Sequence, residues 1–207
     1  MTAKNLLVLG ATGATGQLVV SQALTAGHHV TALVRSPDKL TTSHPNLTVI
    51  TGQATEPSDV MGAMAGADAV ISTLGANKGT VMTDTTRALL AATDGTDTPR
   101  IVMMSSFAIV RDQLTRATRT ITGLAMGAAI KDRSTAEELL RRSGRKHIIA
   151  HATRLTNGPA TGSAKVMPAG SRLSMSTTVS RADVAAWLLS AATQDTAAAR
   201  SEVVISG

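Results

Sequence analysis

At 207 residues, with no cysteine, the chain suits one domain with a sizeable core and excludes disulfides, thiolate metal sites and a cysteine nucleophile. Its formal charge of +6 comes from scattered residues, and the densest group, Arg141, Arg142, Arg145 and Lys146, falls at a helix end, where cations complement the dipole. With one Phe, one Trp and no Tyr, base-stacking platforms are nearly lacking, so the charge reads as a solvated surface plus a pocket for an anionic ligand and not as a nucleic-acid footprint.

The first residues run into a strand, without the basic-then-apolar order of a signal peptide. No apolar run approaches the ~18–20 residues that span a bilayer. A cytoplasmic protein with no membrane partner is expected, as a monomer or homodimer. Residues 6–9 form an apolar run ended by glycines, and 16–26 read as a helix closed by Gly27. His29–Val34 and Leu47–Thr51 read as strands. Thr55 is a candidate N-cap for a helix whose first turn holds Glu56 and Pro57 and which Gly66 ends. Residues 69–74 predict a strand, 83–92 a helix and 100–104 a strand. A long helix runs through 136–142 to Ser143-Gly144, followed by a strand at 147–150. Residues 180–192 form a helix with the Ser180/Asp183 spacing of a capping box, and 203–205 form a closing strand. Unbroken apolar strands alternating with helices predict a parallel sheet covered on both faces.

The glycines gain weight from that setting. In "LVLGATGATGQLVV", Gly10, Gly13 and Gly16 follow the first strand and open the first helix, the context that a dinucleotide fingerprint requires. Gly10 permits the turn, Gly13 lets a pyrophosphate approach the backbone, and Gly16 lets the helix pack close. The amides of residues 12–15 would face phosphate oxygens at the positive end of the helix. Proteins that bind NAD place an acid ~20 residues further on, for the ribose 2′-hydroxyl. Here Arg35 stands at that point with Lys39 one turn later. Two cations suit a 2′-phosphate, and the cofactor expected is NADP(H).

Several segments resemble a known family. "GATGATGQLV", "VTALVRSPDKL", "GADAVISTLGANKG", "RIVMMSSFA", "AEELLRRSG" and "RLTNGPATG" occur in the order of the atypical short-chain dehydrogenase/reductases. Among these the chain is most similar to the biliverdin reductase B, or NADPH-dependent flavin reductase, type and less so to NmrA-like redox sensors. The resemblance covers nearly the whole chain. It implies a single doubly wound Rossmann-type α/β domain over residues 1–207, with strand order 3-2-1-4-5-6, with or without a seventh strand, and helices on both faces. The substrate side would be built from loops around 76–82, 107–131 and 151–178. Carried across, Gly10, Thr12, Gly13, Ala14 and Thr15 would contact the phosphates, and Arg35 and Lys39 the 2′-phosphate. Gln53 and Ala54, where the family has Asp-Val, would flank the adenine. Leu74 and Gly75 would line the ribose, Met104 and Ser105 the nicotinamide side. Ser106 matches the active-site serine of the flavin-reductase type, and Arg154 falls where that type has a histidine facing the nicotinamide.

The departures bear on mechanism. Ordinary members use a Tyr-x-x-x-Lys pair for proton transfer, and this chain has no tyrosine. Arg133 stands where many atypical members carry a lysine. The family's Arg-Pro ahead of the "LTNGP" motif is His151-Ala152. His151, at a strand end, is the remaining acid–base candidate, and the other four histidines lack metal-ligand spacing, so no metal is expected. The segment 107–131 reads as a cover over the site, with Met82, Met103, Met104 and Met126 as candidates for a soft pocket, although core packing is the expectation for Met103. The expectation is an NADPH-dependent reductase that passes hydride to a planar flavin, quinone or tetrapyrrole-like acceptor. A non-catalytic NADP(H)-binding sensor or scaffold, or a reductase, epimerase or cyclase-like enzyme of small-molecule biosynthesis, is the alternative.

Overall fold

In strand β1, Asn5–Leu9, four consecutive residues are buried because they alternate between two cores. Leu6 and Val8 pack into one, Leu7 and Leu9 into the other, as expected of a strand covered on both faces. A computed structural model describes residues 2–76, 79–93, 99–194 and 200–207. Its further strands are β2 His29–Val34, β3 Leu47–Thr51, β4 Ala69–Ser72, β5 Arg100–Ser106, β6 His147–Ala152, β7 Arg154–Thr156, β8 Lys165–Val166, β9 Thr178–Ser180 and β10 Arg200–Ser206. The main sheet runs β3-β2-β1-β4-β5-β6-β10-β8, parallel except for β8, and β7 pairs with β9 in a separate parallel ribbon. The chain therefore has the order 3-2-1-4-5-6, with β10 as the seventh strand and β8 as an antiparallel edge.

The helices are α1 Ala14–Thr25, α2 Pro57–Met64, α3 Val81–Ala92, α4 Arg116–Arg142 and α5 Arg181–Thr193. On one face α1 and α5 bury Val19, Val20, Val184 and Leu188 against Leu6, Val8, Ile71 and Val102. On the other, α2 and α3 bury Val60, Met64 and Leu89 against Leu7, Leu9 and Val70, and α4 adds Ala136 and Leu140 against Ile101 and Ile149. Among the described residues no helix is long and apolar enough to cross a membrane.

Some boundaries differ from expectation. Helix α1 begins at Ala14, since its N-cap is Gly13. Thr55 does not cap α2: the N-cap is Glu56, with no side-chain bond, and Pro57 supplies the preset φ of the first turn. Ser180 does cap α5, accepting from the Asp183 amide at 3.0 Å. The Asp183 carboxylate does not close the expected box; it accepts from the Thr161 and Gly162 amides at 2.9 Å each. Strands β5 and β6 both run two residues further than predicted, to Ser106 and Ala152, which brings more of their length to the sheet edge.

Candidate functional site

The chain leaves β1 at Gly10 with φ +84°, a conformation glycine adopts without steric cost. The Gly13 amide closes the turn on the Gly10 carbonyl at 2.9 Å. A Cβ on Gly16 would stand 2.0 Å from that same carbonyl oxygen, so glycine is required there by the turn itself. Thr73, just past β4, donates its hydroxyl to the carbonyls of Leu9 and Gly10. No side chain caps α1 and its first turn holds no acid, so the amides at its positive end are left for an anion.

Beside this turn lies a cavity at the carboxyl ends of β1, β2 and β4, bordered by Gly10, Thr12, Arg35, Gln53, Ala54 and Leu74. The Gln53 amide donates to Asp59 Oδ2 at 2.8 Å, which holds the β3–α2 loop. Arg35 is exposed at the end of β2 and forms no ion pair among the described residues. Lys39 ends the short 3₁₀ turn Pro37–Lys39 and does not border the cavity. Gly13 and Ala14 are exposed on the turn, while Thr15 is buried.

A second cavity, of about 430 Å³, opens at the ends of β4, β5 and β6 and shares Leu74 with the first. Its size falls within the usual range for a small-molecule site. Gly75, Met104, Ser105 and Ser106 border it, as do Phe107, Thr122 and Met126 from the covering segment. Arg133, Arg154 and Arg181 complete the polar part. Arg133 Nη2 stands 2.8 Å from where a Cβ on Gly75 would lie; burial lowers the pKa of this guanidinium, while Asp132 and Glu137 oppose the shift. Ser106 Oγ accepts from the Ala108 amide at 3.3 Å. Arg154 Nε donates to the Met175 carbonyl at 2.7 Å. No Asp, Glu, His or Lys side chain borders the cavity among the described residues.

Two comparisons bear on this arrangement. A family model described as NAD(P)H-binding matches residues 10–195. The chain belongs to that NAD(P)H-binding family. Solved structures agree in fold. A wide-type short-chain dehydrogenase/reductase from Veillonella parvula DSM 2008, in complex with NADP, aligns at TM-score 0.82 and 22% identity over 100% of this chain and 95% of that one. ChuY, an anaerobillin reductase from Escherichia coli O157:H7, aligns at 0.79 and 24% over 97% and 96%. SP1627 of Streptococcus pneumoniae TIGR4, described as a proposed NADH-flavin reductase, aligns at 0.77 and 19% over 99% of both chains. At these identities the likeness is one of fold, and the fold is the Rossmann type that the sequence resemblance implied.

In this NAD(P)H-binding chain the expected site residues do not all meet. Ser105 is 5% exposed and donates its hydroxyl to Glu137 Oε1 at 2.5 Å. His151 is paired in register with Ser105, yet it does not border the cavity. It is 1% exposed, its Nδ1 3.7 Å from Glu137 Oε1 and its Nε2 3.6 Å from Glu202 Oε2. The strand turns the His151 ring toward Glu137 of α4 and Glu202 of β10, away from the cavity where an acid was expected. Met82 is in the core and not at the cavity, Met103 packs in the core as expected, and Met104 and Met126 border the cavity.

Sequence reasoning missed the buried cluster around His151, whose members lie at 105, 137, 141, 151 and 202. Glu137 is fully buried and is compensated by Ser105 and by Arg141, whose Nη2 donates to Glu137 Oε2 at 2.8 Å and to Glu202 Oε2 at 3.0 Å. Glu137, His151 and Glu202 could present ligand atoms to a metal ion, but Arg141 already supplies a cation to both carboxylates. Asp132 was also missed. It accepts from the Met82 and Thr83 amides and so caps α3, two residues of which, Val81 and Thr85, border the first cavity.

The cluster makes acid stability measurable. His151 first, and Arg141 second, hold the Glu202 carboxyl down to about 2 from an ordinary 4.5. A depressed carboxyl stabilises the fold fully above about pH 4.5 and loses that contribution as pH falls through about 2. Because Glu202 is 37% exposed, solvent screening reduces the effect to about 1 kcal/mol. Glu202→Gln is expected to lower urea-unfolding stability by that amount at pH 7, with the gap closing below about pH 4.5. A gap unchanged from pH 7 to about pH 2.5 contradicts the assignment.

Proposed function

We propose that the protein is an NADPH-dependent reductase that passes hydride to a planar acceptor of the flavin, quinone or tetrapyrrole kind. The observation that carries this reading is the lining of the second cavity. Among the described residues its only proton-bearing polar side chains are Ser and Thr hydroxyls and three guanidinium groups, and arginine does not give up its proton in proteins. Reduction of a simple ketone develops an alkoxide that needs a positioned acid. A conjugated acceptor instead spreads the negative charge and takes a proton from solvent afterwards.

The glycine turn at Gly10 and Gly16, the uncapped α1 and an Arg35 without an ion-pair partner among the described residues fit a dinucleotide phosphate. When bound, NADPH supplies the hydride. In this reading Gly10, Thr12, Gly13, Ala14 and Thr15 hold its phosphates, and Arg35, with Lys39 in support, holds the 2′-phosphate. Gln53 and Ala54 flank the adenine, Leu74 and Gly75 the ribose, and Met104 and Ser105 the nicotinamide. Ser106 donates a hydrogen bond to the reduced acceptor, and Arg154 supplies counter-charge. His151 takes no direct part.

NADPH oxidation followed with FMN, FAD, a simple quinone, a linear tetrapyrrole and simple ketones tests this. Planar acceptors are expected to turn over, with ketones at least ~100-fold slower for want of a general acid. Ser106→Ala is expected to slow turnover about tenfold or less, the effect of one hydrogen bond. Ready ketone reduction contradicts the mechanism. Tight nucleotide binding without turnover on any acceptor favours a sensor.

A further inference from the structure

The positive charge of the chain is concentrated in two segments. Residues 107–131 hold four cations and one acid, and residues 153–180 hold three cations and no acid. Together they account for the whole +6, since the remaining 13 cations and 13 acids balance. The two segments meet in the fold. The Leu173 amide donates to the Gln113 carbonyl at 2.8 Å, and the Thr115 amide to the Leu173 carbonyl at 3.0 Å. This pairing brings Arg172 to the start of α4, whose first turn carries Arg116 and Arg119 and no acid. All three arginines are exposed, and cations at the positive end of a helix oppose its dipole. Among the described residues none of the seven cations forms an ion pair.

The same surface exposes apolar side chains. Leu124 is 86% exposed and Ile121 53%. With Ala117, also exposed, they recur at i, i+4 and i+7 and share one face of α4. Arg116 precedes this line and Lys131 follows it, and both are exposed. Met175, 39% exposed, borders the second cavity together with Met126 of α4. A single exposed leucine is ordinary. A leucine in line with an isoleucine, on a helix flanked by unpaired cations, is the pattern of a helix that lies in a lipid interface.

We propose that this face docks the protein on an anionic lipid surface, with Ile121 and Leu124 entering the interface and Arg116, Arg119 and Arg172 held by headgroup phosphates. The proposal stands independently of the reductase reading. It departs from the expected lack of a membrane partner, which rested on the want of a spanning run and a signal peptide; α4 lies in the interface and does not cross it. Charge favours this occupant over a second copy of the chain, which would set like charges together. Nucleic acid would satisfy the cations but leaves the protruding Leu124 without a partner. Phe107, the one aromatic residue of the two segments, is buried, so no base can stack there.

Flotation of the full chain with vesicles tests this at about 0.1 M salt, where the Debye length is ~10 Å. Vesicles of phosphatidylcholine with about 30% phosphatidylglycerol are expected to bind it ~tenfold or more tightly than phosphatidylcholine alone. Arg116→Gln/Arg119→Gln is expected to weaken that binding ~tenfold, and Ile121→Asn/Leu124→Asn by a similar factor. Lys4→Gln/Arg142→Gln lowers the net charge equally at ion-paired positions outside the two segments and is expected to change little. Met61→Asn, at an exposed methionine of α2, is likewise expected to change little. All four variants are expected to keep the wild-type melting curve and NADPH affinity, so a loss of vesicle binding reads the surface and not the fold. Leu124→Trp is expected to be quenched by lipids brominated on their acyl chains, beyond the quenching of wild type, whose one Trp lies on α5. Equal binding to neutral and anionic vesicles, or to neither, overturns the proposal. So does anionic binding that ignores Ile121→Asn/Leu124→Asn and leaves Leu124→Trp unquenched, the behaviour of a general polyanion site that duplex DNA would occupy as well.

Discussion

Gly16→Ala is expected to abolish dinucleotide binding and to destabilise the fold. The added Cβ would lie 2.0 Å from the Gly10 carbonyl oxygen and 2.9 Å from Thr73 Oγ1. The first is a backbone atom inside a turn closed by the Gly13 amide, so it cannot swing aside as a side chain would. Either α1 retreats from the sheet or the turn opens, and both move the amides proposed to face the phosphates. Overpacking of this kind costs about 1–3 kcal/mol in stability, and misplaced phosphate donors bring the loss of affinity to ~100-fold or more. A graded series isolates the cause. Gly13→Ala meets the same oxygen at 3.3 Å and is expected to be intermediate, whereas at Gly62, inside α2, nothing lies within 4 Å and alanine is expected to stabilise by a few tenths of a kcal/mol or more. Thermal melts and calorimetric titration with NADPH read all three, and equal behaviour at Gly16 and Gly62 contradicts the steric argument.

The second large effect concerns Arg35. It ends β2 at the first cavity, exposed and without an ion-pair partner among the described residues. If it grips the 2′-phosphate, Arg35→Ala removes a charge-assisted bond worth ~1.5–3 kcal/mol, a loss of roughly 10- to 150-fold in NADPH affinity. NADH lacks that phosphate, and its binding is expected to change little. Lys39→Ala, one step removed from the cavity, is expected to cost less. Equal losses for the two nucleotides contradict the reading of Arg35.

The parts of the fold legible in the sequence are those where one strong local pattern decides the outcome. The run of residues 6–9 followed by Gly10 could only be a doubly buried strand entering a tight turn, and His29–Val34 and Leu47–Thr51 begin and end as read. Strands β7, β8 and β9 are two or three residues long and carry no usable period; tertiary pairing alone makes them strands. The first half of α4 was obscured by Thr and Gly, and the helix departs from helical geometry at Met126. At the first cavity, Gly10 and Arg35 were visible because each stands at the end of a clearly patterned strand. The surroundings of His151 were not, because Glu137 and Glu202 approach it from α4 and β10 and no sequence spacing records that meeting. Arg181 was missed for the same reason: it reads as a helix start, and only the pairing of β7 with β9 brings it to the cavity beside Arg154.

Hydride transfer itself is most directly tested in a single anaerobic turnover, with FMN and NADPH carrying deuterium at either face of the nicotinamide C4. NADPH consumption matched one-for-one by FMN reduction, and slowed by deuterium on one face alone, is the predicted result. Saturable NADPH binding with no oxidation by FMN, a quinone or a linear tetrapyrrole would contradict it.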